Sequence, residues 1–391
     1  MTMLATRPTK EGRWTADPGF GIYVHVPFCA HRCHYCDFNT YEGLDELHGR
    51  YVDALVSDIR RADPSPRAVT SIFFGGGTPT LLPARQLGRV LDAVRGRLAL
   101  AADAEVTVEA NPETVDEAYF DALLHAGVDR VSIGVQSLVP HVLRGLGRTH
   151  PAERALAAVA AAQRAGFTDV NVDLIYGSPW ESETDWRDTL ERALAAEPTH
   201  VSAYALTVES GTPLHTFVAT GRVPDVDPDI QAERHGIAAA LLAEAGYARY
   251  EISNWAQPGR ACAHNVLYWC AGDYLAFGAG AHGHMDGHRY WHVRLPREYI
   301  AAVEARASTI AGDELLDRDA RAGEALALGL RLTTGIDVES FRARFGEDPV
   351  DRRGLAIARL MDLGLLVRDG GHLRITERGT MLASEVQGQV L

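Results

Sequence analysis

Six short runs rich in β-branched residues, each followed by a helical pattern, recur between residues 21 and 209. They read GIYVHVP from Gly21, SIFFGGG from Ser71, EVTVEAN from Glu105, RVSIGVQ from Arg130, DVNVDLIYG from Asp169 and THVSAYALTVE from Thr199. Alternation of this kind builds a parallel sheet, because a crossover helix is the usual way to return the chain to a second parallel strand. The clearest helices are expected over 45–61 and 151–165, the second opening on Pro151 and stopping before Gly166. Six units rather than eight predict an α/β fold built on a partial (βα)6 barrel, with its chemistry at the carboxyl ends of the strands. A doubly wound sheet is the competing layout.

Residues 1–20 read as an N-terminal extension, 21–210 as the barrel, 211–312 as an extension and 313–391 as a separate α+β unit. Within the third segment, 210–229 is rich in Gly, Pro and Thr and reads as a crossover, with a helix over 230–245. The last segment reads helix, helix, then LGLLVRDGGHLRIT, where Gly370 and Gly371 turn a hairpin, so a winged-helix-like domain is expected. Winged helices often bind DNA, but here acidic residues outnumber Lys plus Arg from residue 313 to the end, and the whole chain carries a net charge of −14. No nucleic-acid partner is expected, and the domain is read as a structural lid. No run of eighteen apolar residues and no signal-like apolar stretch occurs, so a cytoplasmic protein without a transmembrane segment is expected.

Five cysteines in 391 residues make no disulfide framework, and three of them, Cys29, Cys33 and Cys36, fall within eight positions just after the first strand. Their C-x3-C-x2-C spacing offers three thiolates to a [4Fe–4S] cluster and leaves one iron open to an exogenous ligand. Zinc is the alternative, with His31 and His34 inside the motif, but a structural zinc site would usually bring a fourth ligand in two-pair spacing. Gly75, Gly76 and Gly77, followed by Thr78 and Pro79, end the second strand, and glycines there let backbone N–H groups approach a ligand closely. Glu109, Gln136 and Asp173 end later strands, where a polar group is costly unless it faces a pocket.

The run YVHVPFCAHRCHYCDFNTY resembles the cluster loop of the radical SAM superfamily, in the branch that includes the coproporphyrinogen dehydrogenases (HemN) and the haem chaperones (HemW). The resemblance implies S-adenosylmethionine (SAM) as cofactor, chelated through its amino and carboxylate groups at the open iron and cleaved there on one-electron reduction. It assigns the metal to Cys29, Cys33 and Cys36, and the SAM pocket to Tyr23, Gly76, Gly77, Thr78, Glu109, Gln136, Asp173 and, for a carboxylate, Arg148. No catalytic residue is assigned.

Two departures separate this chain from the dehydrogenases: Phe38 stands where they carry a fourth cysteine, and their long amino-terminal arm is missing. HNVLYW at 264–269 matches the HNxxYW motif of the haem chaperones. There the resemblance places haem as bound cargo, with His264 and Tyr268 as its contacts, since imidazole is a good axial ligand and aromatic faces suit a porphyrin. Cys262 and Cys270 flank this motif, and His282, His284, His288 and His292 follow as alternative ligands. The expected function is therefore a haem carrier that passes haem to an acceptor protein, rather than an enzyme, with an electron donor as a further partner. The alternative is an oxygen-independent coproporphyrinogen III dehydrogenase or another radical SAM tetrapyrrole enzyme. The haem motif is expected to occupy a surface separate from the cluster.

Overall fold

The structure is a computed structural model and describes residues 10–65 and 67–391, so the first nine residues of the extension lie outside it. Six parallel strands form its centre: β1 (Phe20–Val26), β2 (Val69–Gly76), β3 (Leu100–Ala110), β4 (Arg130–Gln136), β5 (Asp169–Tyr176) and β6 (His200–Ala205). They lie side by side in chain order, with no reversal. A doubly wound sheet requires a reversal, so the partial barrel is the correct layout.

Helices His48–Arg61, Ala84–Arg97, Glu117–Ala126 and Ala152–Ala165 each pack on the next. The apolar side of the sheet, including Ile22, Val24, Ile72, Phe74, Val106, Val108, Val131 and Ile133, is buried in the main core. Strand periodicity turns the alternate residues inward. That inner face is polar: Glu105 and Thr107 on β3, Arg130 and Ser132 on β4, Asn171 on β5, and His200 with Ser202 on β6 are all buried.

The sheet is wider than the sequence suggests. Residues 211–312 add β7 (Ala248–Glu251), β8 (Asn254–Ala256), β9 (Asp273–Phe277), β10 (His282–Met285), β11 (His288–His292) and β12 (Ile310–Leu315). β8 and β7 extend the sheet antiparallel beyond β6, while β9 joins β1 in parallel and carries β10, β11 and β12 outward. Strands of three to six residues without clean apolar alternation are hard to recognise from pattern alone. β12 runs across the boundary expected at residue 312.

Helix Arg318–Gly329 leads to β13 (Ile336–Asp337), and helices Val338–Phe345 and Pro349–Asp362 lead on to β14 (Leu366–Asp369) and β15 (His372–Ile375); the three strands form one sheet. Gly370 and Gly371 both have positive φ, +53° and +88°, as the two-residue turn between β14 and β15 demands. This unit shares one core with Trp14, Val266 and Cys270. It closes the barrel's amino-terminal end, not the end that carries the cysteines.

Candidate cluster and cofactor site

The cysteine loop begins where β1 ends, and backbone hydrogen bonds fix both of its sides. Cys29 N–H donates to Tyr41 O (3.0 Å), Tyr41 N–H to Pro27 O (2.7 Å), and His34 N–H to Leu146 O (3.1 Å). Gly77 N–H and Thr78 N–H donate back to Val26 O and Phe28 O, so the glycine loop and the cysteine loop are laced together. Cys29, Cys33 and Cys36 all open onto one cavity of about 410 Å³, within the usual range for a small-ligand site. Burial pushes the Cys29 thiol up to about 11 and raises that of Cys36. Iron binding there displaces thiol protons.

Gly76, Gly77, Thr78, Glu109, Gln136, Arg148 and Asp173 line the same cavity. The glycines are required: a Cβ on Gly76, whose φ is +112°, would lie 2.4 Å from the His25 ring, and one on Gly77 would lie 2.6 Å from Phe28 O. Glu109 Oε2 accepts from Gly76 N–H (3.1 Å). Burial, with Asp173 nearby, pushes the Glu109 carboxyl up to about 8. Asp173 accepts from Ser132 Oγ and from Asn171 Nδ2, each at 2.8 Å, and burial raises its carboxyl as well. Arg148 donates to Gly134 O (2.8 Å) and reaches Cys33 Sγ (3.5 Å), while its buried Nε has no protein partner.

This donor set fits the cluster and SAM. Three thiols face one cavity, a glycine cradle leaves room beside them, and two carboxyl groups line it together with an arginine that has an unfilled donor. Among the described residues no three His, Cys, Asp or Glu side chains are gathered closely enough to hold a single metal ion, as the zinc alternative needs.

Three expected site residues lie elsewhere. Tyr23 does not line the cavity; it sits deeper on the inner face of β1, with its hydroxyl 3.0 Å from His25 Nδ1 and its ring stacked on Phe73. His264 and Tyr268 are on the short helix Ala263–Trp269, which plugs the barrel floor. His264 is 1% exposed, with Nδ1 bonded to Ser71 Oγ and Nε2 to Tyr268 Oη, both at 2.9 Å. The motif is therefore not a separate surface. Its ring stacks on Phe73, which stacks in turn on Tyr23, so an aromatic column joins it to the residues beneath the cavity.

The floor helix is held by charge. Glu105 Oε1 accepts from the N–H groups of Ala263 (2.8 Å) and His264 (3.4 Å), and the same carboxylate is paired with Lys10 and lies 4.0 Å from Arg130. Cys262 and Cys270 are buried, and burial raises both thiols to about 12, which suits packing rather than ligation.

Sequence reasoning missed Tyr35, Ser132 and Tyr204, which also line the cavity. For Ser132 and Tyr204 the signal was present: each occupies an inward position in the alternation of its strand. Tyr35 stands inside the cysteine motif, where no strand period assigns it a side.

Residues 23–193 match the radical SAM superfamily, and residues 316–382 match the HemN C-terminal domain. A haem chaperone HemW of Mycobacterium tuberculosis is 43% identical over 373 residues, covering 94% of this chain and 93% of that protein. The haem chaperone HemW of Escherichia coli is 41% identical over 72% of this chain and 76% of its own length. The bovine mitochondrial radical S-adenosyl methionine domain-containing protein 1 is 37% identical over 92% of this chain and 84% of its own length. The solved structure of the Escherichia coli coproporphyrinogen III oxidase HemN superposes with a TM-score of 0.82 over 98% of this chain and 92% of that one, and at 23% identity it speaks for the fold alone. On the strength of these matches across nearly its whole length, the chain belongs to the HemW family of the radical SAM superfamily.

Proposed function

We propose that this protein is a haem carrier: it binds haem, holds a [4Fe–4S] cluster and SAM at the open end of its barrel, and delivers haem to an acceptor protein. The observation that carries the reading is the near-full-length likeness to proteins named haem chaperones. Phe38, 63% exposed at the cavity mouth where the dehydrogenases carry a further cysteine, supports it.

Cys29, Cys33 and Cys36 would hold the cluster, which supplies an open iron position and one-electron chemistry. The chain's own residues do the rest. Gly76 and Gly77 leave space for the cofactor's methionine end, Arg148 offers its unfilled Nε to a carboxylate, and Glu109 with Asp173 offer acceptors to cationic and hydroxyl groups. Haem is assigned to the HNxxYW helix and the surfaces beside it. Ligation by His264 requires that one of its bonds, to Ser71 or to Tyr268, be released, because both ring nitrogens are engaged.

A second reading, a radical SAM enzyme acting on a tetrapyrrole, is favoured by the completeness of the cofactor cavity. One experiment separates the two. Anaerobically reconstituted protein is titrated with haem, then incubated with SAM, reductant and coproporphyrinogen III. The carrier reading expects stoichiometric haem uptake and no porphyrinogen product. Cys33→Ala should lose cluster iron and sulfide yet still take up haem. Decarboxylation without haem binding installs the enzyme instead. No helix among the described residues is long and apolar enough to cross a membrane.

A further inference from the structure

The inner face of the barrel does not stop at β1. Antiparallel partners share a face, so the pairing of His284 with Tyr274 puts both on one side of the sheet, and Tyr274 packs edge-on against Tyr268 at 4.7 Å. Gly21 makes this junction possible, since a Cβ there would lie 3.2 Å from both the His264 ring and Tyr274 Cβ. On β10 and β11 the same face carries His282, stacked on Trp291 at 5.9 Å and 25°. The result is a wall of flat side chains that begins at the HNxxYW helix and runs out to an exposed histidine.

The histidines near this wall differ in what their nitrogens do. His292 is buried, bonded to Thr309 Oγ1 and Ala276 O, both at 2.9 Å. His288 alternates to the other face and pairs with Asp313 at the surface. His282 is exposed and has no carboxylate partner among the described residues. His284 alone on this face combines a carboxylate partner with a nitrogen left over: Nδ1 lies 3.1 Å from Asp273 Oδ1, and Nε2 makes no hydrogen bond among the described residues. Asp273 is itself fixed by Arg67 at 2.7 Å and by the Asp286 N–H at 2.9 Å. Its side chain is 10% exposed and that of His284 16%, so the pair is sheltered but reachable. An imidazole held by a carboxylate through one nitrogen, with the other turned away, is the usual arrangement of a metal-ligating histidine, because the carboxylate sets the tautomer and raises ligand basicity.

Resting on the haem-carrier reading, we propose that His284 is an axial ligand of the haem iron, giving its Nε2 to a porphyrin seated on the wall formed by Tyr268 and Tyr274, with Asp273 as the residue that positions it. The assignment leaves the opposite axial position to another ligand.

The test uses the full chain with its cluster reconstituted and haem as the probe. His284→Gln should shift the Soret band and weaken haem retention tenfold or more, and added imidazole should restore the wild-type spectrum. Asp273→Asn should keep the histidine spectrum but weaken retention roughly tenfold to a hundredfold, the span seen for loss of an outer-shell carboxylate. His288→Ala, on the other face, should change neither. If wild-type protein binds haem and His284→Gln matches it in spectrum and affinity, the ligand assignment falls while the carrier reading stands. If wild-type protein takes up no haem, the carrier reading falls and this inference goes with it.

Discussion

Glu109 illustrates how a cofactor site strains the protein that builds it. Its carboxyl is pushed by burial from the usual 4.5 up to about 8, with Asp173 adding to the rise and the Gly76 N–H opposing it. Between those two values the folded chain holds a proton that the unfolded chain has released, so stability must fall as pH rises through the window. In cofactor-free protein, Glu109 should therefore contribute a downward slope to the urea midpoints between about pH 5 and about pH 8, against the upward slope that the buried histidines contribute below their ordinary value. Glu109→Gln, which cannot titrate, should flatten that slope while weakening SAM binding. An unchanged slope in the variant would place the titrating group elsewhere.

At the scale of elements, the helix Ala263–Trp269 has only seven residues, too short to persist on its own propensity. Glu105 supplies what the sequence of the helix lacks, a carboxylate at its N-terminus that accepts two of its free N–H groups and complements its dipole. Burial works to raise the Glu105 carboxyl, but Arg130 and Lys10 hold it below its ordinary value. The stabilisation is therefore present above the ordinary carboxylate pKa and is lost as pH falls through the lowered one. Glu105→Ala removes one of the two carboxylates beside buried Arg130, Asp169 at 3.7 Å remaining, and strips the helix N–H groups of their acceptor; it should cost about 3 kcal/mol. Glu105→Gln should cost less and should remove this limb of acid unfolding, read as melting temperature against pH.

For the molecule as a whole, the C-terminal unit, from helix Arg318–Gly329 onward, is bound to the barrel through the floor helix and the N-terminal segment rather than through a linker. Trp14 is 6% exposed, packs on Phe341 at 6.1 Å and lies against Gly329, where an added Cβ would sit 2.7 Å from the indole. Trp14→Ala opens a cavity at that junction and should cost about 3 to 5 kcal/mol. Denaturant midpoints should drop accordingly, and limited proteolysis should release the C-terminal unit earlier than in the wild type. Equal protection of both proteins would show that the junction does not depend on the indole.

The sequence by itself determined the six parallel strands, the cysteine loop and the polar strand ends, because each depends on local spacing. A period of two tells which side of a strand Glu109 and Asp173 occupy, and three cysteines within eight positions can only share one loop. It also marked HNVLYW as a motif, but not its setting. That His264 is buried with both nitrogens bonded follows from Ser71, 193 residues away, and from the turn of helix that brings Tyr268 over it. The pairing of His284 with Asp273 likewise depends on β10 folding back on β9, and the wall they join depends on β9 lying beside β1, some 250 positions distant in sequence. Local pattern assigns a residue to a face; only the assembled sheet decides which faces meet, because register between distant strands is set by packing across the whole sheet.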